Sequence, residues 1–167
     1  MKTILLWIGF AGCIVGGAAL QGIHAGVFLQ PTAALIVLLP VLLYILYSLG
    51  NDLPGLLSRA CQQRLTESDL ATFDIAVSLG FVFGVIGMVS GMIATMANLS
   101  DSAQLGAGIA LSFVSAIYGA LPAVLLLPVR AGANPTSKGG VAAGAFMAFT
   151  AVMLAANVMT VVYALGR

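Results

Sequence analysis

Long apolar segments dominate this sequence and limit what it can fold into. Five of them approach the length of about 20 residues that a helix needs to cross a bilayer. They are residues 3–20, 32–49, 74–97, 104–128 and 141–164. Charged residues make up 7% of the 167 residues, against about 25% in a soluble domain. Because unpaired backbone groups are too costly in lipid, each segment must be helical. The sequence therefore predicts an all-α, polytopic integral membrane protein with about five transmembrane helices in a single membrane domain, residues 1–167.

The basic residues predict how these spans are oriented in the membrane. Lys2, the loop of residues 50–73 and the loop of residues 129–140 fall on one side, and only Arg167 falls on the other. The positive-inside rule then places the N-terminus in the cytoplasm and the C-terminus in the periplasm of a bacterial inner membrane. Cleavage of the first segment as a signal peptide is the alternative, since a lysine precedes its apolar run.

The cytoplasmic loop carries a helix-start signal. The stretch Thr66-Glu67-Ser68-Asp69 predicts the N-terminal cap of a helix that continues into the third span. Asp74 follows at the cytoplasmic mouth of that span. No other Asp, Glu, Lys, Arg or His lies within a predicted span. Proton relays need a titratable group at depth, so a proton-conducting chain of this kind must obtain its acid from another polypeptide.

Small residues follow two adjacent spans at helical spacing. The sets are Gly80, Gly84, Gly87 and Gly91 in the third span, and Gly108, Ser112, Ser115 and Gly119 in the fourth. Steps of four, three and four place each set on one side of its helix. One interpretation is close packing of helix backbones. The other is a shared inward surface that faces a pore or a central partner.

Polar residues within the spans leave similar alternatives open. Ser112 and Ser115 either bond back to carbonyls one turn earlier or line a polar path for an ion. In the fifth span, Thr150, Asn157 and Thr160 share a face, which favours hydrogen bonds between helices.

Other functional classes find no support in the sequence. There is no nucleophile–base pair, no phosphate-binding loop and no metal-ligand spacing, and the two cysteines form no metal motif. A net charge of +1 leaves no basic field for nucleic acid. We therefore expect no enzyme, no cofactor, no metal site and no nucleic-acid partner; the surroundings are the lipid bilayer.

Two consecutive stretches carry a family resemblance. GVIGMVSGMIATMANLSD (84–101) and LGAGIALSFVSAIYGALPAVLLLPV (105–129) resemble the third and fourth spans of the MotA/TolQ/ExbB proton-channel family, closest to flagellar stator subunits of the MotA and PomA type. GIHAGVFLQPTAALIVLLP (22–40) is similar to the outer loop and second span of the MotA type. The resemblance implies a pentameric ring around a dimer of a single-span partner, like MotB, ExbD or TolR, that carries a membrane aspartate. It also implies that the small-residue stripe faces this partner.

Three departures from that pattern refine the expectation. Only residues 50–73 stand where the MotA branch has a large cytoplasmic domain, which argues against torque on a flagellar rotor. The hydroxyl positions of the family fall at Ala116 and Met88, and their loss weakens a sodium site more than a proton path. A fifth span replaces the usual cytoplasmic C-terminal helix.

The sequence thus predicts a ring-forming channel subunit of a proton-motive-force-driven motor or energy-coupling complex. Its ion pathway would follow Ser112, Ser115, Ala116 and Met88, and ions would pass to a carboxylate of the partner. The alternatives are a non-conducting membrane scaffold of the same fold and a small-solute transporter, although no broken helix with a polar midplane site is evident.

Overall fold

A computed structural model of the chain describes residues 8–9, 30–50, 55–56, 59, 65–99, 101–130 and 139–165. Within these residues the helices are α1 (Pro31–Leu49), α2 (Glu67–Ala97), α3 (Ser102–Arg130) and α4 (Gly139–Leu165), and no strand occurs among them. All four helices are long and apolar enough to cross a membrane. This confirms the predicted all-α, polytopic membrane protein.

The four helices lie at the second to fifth predicted spans. The first predicted span, residues 3–20, lies outside the described residues except for positions 8–9. α2 begins at Glu67, ahead of the predicted span of residues 74–97. This is the start that the predicted N-terminal cap implies.

The capping box at the start of α2 is confirmed in both directions. The Thr66 side chain accepts a hydrogen bond from the Asp69 backbone N–H at 3.3 Å, and the Thr66 backbone N–H donates to Asp69 Oδ2 at 3.0 Å. These two bonds satisfy backbone donors that the first turn of a helix would otherwise leave unpaired.

α1 contains two prolines and ends at a glycine. Pro31 lies in the first turn, where a missing N–H costs no helical hydrogen bond. Pro40 lies within the helix, which continues past it to Leu49. Gly50 then ends α1 with a positive φ of 52°, and its N–H donates to the Leu46 carbonyl at 3.0 Å. A residue without Cβ adopts this left-handed conformation with little strain.

α2 and α3 form the central pair, and we call their line of contact the seam. On one side of the seam, α1 packs Ala33 and Val37 against Val114 and Tyr118 of α3. On the other side, α4 packs Phe146 against a cluster from both central helices. That cluster contains Val77, Phe81, Met88 and Ala116. α1 and α4 therefore cover opposite sides of the same helix pair.

The bundle has two recognisable ends. At the end where α2 begins, called here the Thr66 end, Leu56 packs against Phe73. Ser48 of α1 and Thr72 of α2 also share a hydrogen bond of 3.1 Å between their hydroxyls. At the opposite end, Asp101 Oδ1 accepts from the Gln104 backbone N–H at 3.3 Å as α3 begins.

Candidate functional site

The seam brings the two small-residue stripes together. A Cβ added at Gly91 would lie 2.5 Å from the Ser112 backbone nitrogen and 2.7 Å from the Gly108 carbonyl oxygen. A Cβ added at Gly84 would lie 2.8 Å from the Gly119 Cα. Since real Cβ atoms do not approach other atoms this closely, the backbones of α2 and α3 touch directly along the seam.

This geometry fits the close-packing interpretation of the two stripes. That the stripes also face a central partner stays a prediction. The six glycines predicted to face a central partner are all buried, and each meets a neighbouring helix of the same chain. They are Gly80, Gly84, Gly87, Gly91, Gly108 and Gly119. The two stripes have the same spacing, so each can accept the other. Close packing of helix backbones, the alternative interpretation, describes these positions.

Ser112 is fully buried in the seam and bonds across it. Its hydroxyl donates to the Met88 carbonyl of α2 at 3.0 Å. The expected alternative, a bond to the carbonyl one turn earlier in α3, is therefore not the bond that forms. Ser112 and Met88, two of the four predicted ion-pathway positions, are joined by this bond.

Ser115 is also fully buried, but its hydroxyl has no hydrogen-bond partner. It lies directly against Gly87 of α2. A Cβ added at Gly87 would collide with the Oγ and Cβ of Ser115. Other hydroxyls in these helices each donate to the carbonyl four residues earlier. They are those of Thr72, Ser78, Ser90, Thr95, Thr150 and Thr160. Ser115 is thus distinguished by an unused hydrogen-bonding capacity, which is costly in a buried group.

Met88 and Ala116, the two predicted pathway positions that are not serines, lie under α4. Met88 is fully buried, and both Met88 and Ala116 pack in the cluster that contains Phe146. The sequence did not indicate this cover. Phe146 enters a notch between the two central helices, with ring atoms 3.1 Å from the Cβ position of Gly84 and 3.0 Å from that of Gly119. Its ring stacks on Phe81 with centroids 4.7 Å apart.

The polar face of α4 also differs from expectation. Thr150 and Thr160 donate to carbonyls of their own helix, and the Asn157 side-chain amide donates to the Met153 carbonyl at 2.9 Å. These bonds stay within α4 rather than joining it to another helix. Asn157 is 1% exposed, and its Oδ1 has no hydrogen-bond partner.

Charged groups meet at the Thr66 end, outside the expected span of residues 74–97. Arg59 donates to both carboxylate oxygens of Asp69, from Nε to Oδ2 at 3.1 Å and from a terminal nitrogen to Oδ1 at 3.2 Å. Burial alone would raise the Asp69 pKa, but hydrogen bonds from Thr66 and Arg59 and the charge of Arg59 outweigh it. The Asp69 pKa is therefore lowered from its ordinary value. The sequence did not reveal this ion pair, because ten residues separate its partners.

Asp74, the predicted cytoplasmic mouth, lies in the second turn of α2 and is half-buried. Its backbone carbonyl accepts the Ser78 hydroxyl at 2.9 Å. Across the described residues, no group of three or more His, Cys, Asp or Glu side chains could hold a metal ion.

Comparison with protein families identifies the region that contains the seam. Residues 56–139, half of the chain, match the MotA/TolQ/ExbB proton channel family. The chain belongs to this family. The resemblance seen in the sequence is thereby confirmed, and membership implies an ion-channel role in energy-coupling complexes rather than an enzyme class. The matched region contains α2 and α3, whereas α1 and nearly all of α4 lie outside it. No curated protein and no solved structure is significantly similar to the chain.

Proposed function

We propose that this chain is a ring-forming channel subunit of a proton-motive-force-driven motor or energy-coupling complex. It works with a single-span partner that carries the ion-binding aspartate, in a pentamer around a partner dimer. The complex lies in a bacterial inner membrane, with the N-terminus and the Thr66 end in the cytoplasm and the C-terminus in the periplasm.

The observation that carries this proposal is that this member of a proton-channel family has no acidic residue deep within a predicted span. The family match covers the seam, yet the sequence places no titratable residue within a predicted span beyond Asp74. A proton relay across a bilayer needs such a group. A partner helix that supplies a carboxylate satisfies this need, whereas the chain alone does not.

The two seam serines have different parts in this proposal. The Ser112 hydroxyl already donates a hydrogen bond to the Met88 carbonyl, which suits a role in holding α2 and α3 together. Ser115 keeps a buried hydroxyl with no partner, which suits a group that exchanges hydrogen bonds with a passing proton carrier. We therefore assign the ion pathway to Ser115 and the packing of the seam to Ser112.

Purification from native membranes tests the partner. A tagged chain should co-purify with a protein that has one apolar span and an aspartate within it. The complex reconstituted in liposomes should take up protons, Ser115→Ala should strongly reduce the uptake, and Ser112→Ala should reduce complex stability more than uptake per complex. Assembled Ser115→Ala complexes with wild-type uptake would remove Ser115 from the pathway.

A non-conducting scaffold is the second candidate, and one observation favours it. Met88 and Ala116, where the family pattern has hydroxyls, are apolar and packed under α4. A scaffold should assemble with a partner and yet give no proton uptake in the same liposomes. Uptake by the wild-type complex would exclude it.

A further inference from the structure

A side chain of α1 lies beside the buried hydroxyl of Ser115. The Oγ and Cβ of Ser115 lie against the Cβ position of Gly87, and Val37 Cγ2 lies 3.4 Å from that same position. Val37 and Ser115 are both 0% exposed, and the Ser115 hydroxyl has no hydrogen-bond partner. An apolar methyl group of α1 and an unpaired hydroxyl of α3 are therefore neighbours in the interior of the bundle.

The contact between these two side chains has opposite consequences for them. Val37 gains apolar packing, since it belongs to the cluster that contains Ala33, Val114 and Tyr118. Ser115 stays unpaired, because a methyl group neither donates nor accepts a hydrogen bond, and an unpaired buried hydroxyl is destabilising. Withdrawal of Val37 would lose packing but would let a water molecule or another polar group bond to Ser115.

α1 is weakened at the turn that carries Val37. Pro40 lies inside the helix and has no N–H, so the carbonyl of Ile36 receives no helical hydrogen bond from position 40. Ile36 directly precedes Val37. Sharp kinks in helices occur mainly at prolines, and the hydroxyl bond between Ser48 and Thr72 holds the following part of α1 against α2. α1 therefore bends most readily beside Val37.

We infer that Val37 is the gate of the Ser115 pathway and that bending of α1 at Pro40 moves its side chain away from Ser115. With Val37 in place, Ser115 is fully enclosed. Apolar constrictions close channels by excluding water, and a valine beside the unpaired hydroxyl provides such a closure. This inference rests on the proposed function, in which the Ser115 hydroxyl exchanges hydrogen bonds with a proton carrier.

Thiol labelling tests the gate independently of proton transport. In a Cys13→Ser, Cys61→Ser background, Ser115→Cys places a single thiol at the enclosed position. A small, membrane-permeant thiol reagent should react with it slowly in native membranes and severalfold faster when Val37→Ala is added, because the covering methyl groups are then lost. Val41→Ala is the matched control: the same change at a buried position one turn further along α1. It should leave the labelling rate unchanged.

Proton uptake by the reconstituted complex tests the gate in function. Val37→Ala should raise uptake per complex severalfold over wild type, and Val41→Ala should not. Val37→Ala combined with Ser115→Ala should return to the low uptake of Ser115→Ala alone, because the gate acts through that hydroxyl. Pro40→Ala restores the bond to the Ile36 carbonyl and stiffens α1, so it should reduce uptake without lowering the melting temperature.

The two measurements separate the two levels of failure. Equal labelling rates for Val37→Ala and Val41→Ala, or wild-type uptake by assembled Val37→Ala complexes, would overturn the inference and leave the proposed function intact. Faster labelling with Val37→Ala in a complex that takes up no protons, with or without this change, would contradict the proposed function. Val37 would then be a cover of Ser115 and not the gate of a path.

Discussion

α2 contacts its two larger neighbours in opposite ways. Against α3 it presents glycines, whose Cβ positions fall on backbone atoms and on short side chains of α3. Against α4 it presents Phe81, and a single aromatic ring from Phe146 fills the notch at Gly84 and Gly119. The α2–α3 contact depends on the lack of side chains at the glycines. The α2–α4 contact depends on the Phe146 ring.

The exposure of the methionines makes the same difference visible. Met88, beside the seam, is fully buried, whereas Met147 and Met159 of α4 are each 72% exposed. α4 therefore lies at the edge of the subunit and is held over a small area. We expect the seam to tolerate almost no added volume and the α4 contact to weaken gradually as side chains are trimmed.

The largest expected effect is at a glycine of the seam. Gly91→Leu should abolish the folded bundle, because even its Cβ would meet the backbone of Ser112 and Gly108, and overpacking costs about 1–3 kcal/mol or more where a backbone must move. Gly106→Leu on α3 is the matched control, since nothing lies within 4 Å of its Cβ position. The measurement is the monodisperse fraction and the melting temperature in detergent. Equal stability of the two variants would show that the seam is not close-packed.

A variant in the first turn of α2 weakens that helix without changing its contact with α3 or with α4. Asp69→Asn removes the Arg59 ion pair and weakens the capping box, and the loss of a cap typically costs about 0.5–2 kcal/mol. Glu67→Gln, in the same first turn but exposed, is the control. We expect a lower melting temperature for Asp69→Asn only.

Asp69 also makes the stability of the folded chain depend on pH. Because the Asp69 pKa is lowered in the folded chain, its stabilisation is fully present above the unfolded-state value of about 3.9 and is lost as the pH falls through the folded-state pKa. The difference in stability between wild type and Asp69→Asn should therefore be constant from pH 5 to 7 and shrink in more acidic buffer. A difference that grew on acidification would contradict this sign.

The α4 contact should respond more mildly. Phe146→Leu removes the stacked ring pair, which is worth about 0.5–1.5 kcal/mol beyond buried area. Phe149→Leu keeps the stack and is the control. Thermal unfolding should show a small loss for Phe146→Leu, with the bundle still folded. A collapse as severe as that of Gly91→Leu would remove the distinction between the two contacts.

The smallest effects separate the two serines within the seam. Ser112→Ala loses the bond to the Met88 carbonyl, and such bonds between membrane helices average about 0.6 kcal/mol. Ser115→Ala removes a hydroxyl that has no partner, so its stability should equal or slightly exceed that of wild type. Unfolding in denaturant measures both, and a larger loss for Ser115→Ala would reveal a bond that the structure does not contain.

The sequence predicted the helices and the start of α2 well, because both depend on local pattern. Length and hydropathy suffice for α1, α3 and α4, and the cap at Thr66 follows from four consecutive residues. Which neighbouring helix the glycines face could not be predicted from the sequence. Small residues at helical spacing indicate that something approaches closely, and the same spacing fits a helix of the same chain or a partner.

The differing roles of the two serines were beyond sequence reasoning. Ser112 and Ser115 are the same residue type and lie in the same stripe. Their different positions around α3 let Ser112 reach the Met88 carbonyl, whereas Ser115 faces Gly87. The insertion of Phe146 depends on a notch made by two glycines far apart in sequence. Arg59 and Asp69 pair across ten positions of sequence, and no local pattern indicates that contact.

The length of α2 turns it into a lever arm. Its 31 residues extend about 46 Å, whereas the hydrocarbon core is about 30 Å thick. No proline interrupts this helix, so the part beyond the core continues the axis of the part inside it. A tilt of about 10° around Ala97 carries the Thr66 end sideways by about 8 Å. Arg59 is bound to that end through Asp69, so such a tilt would displace Arg59 as well.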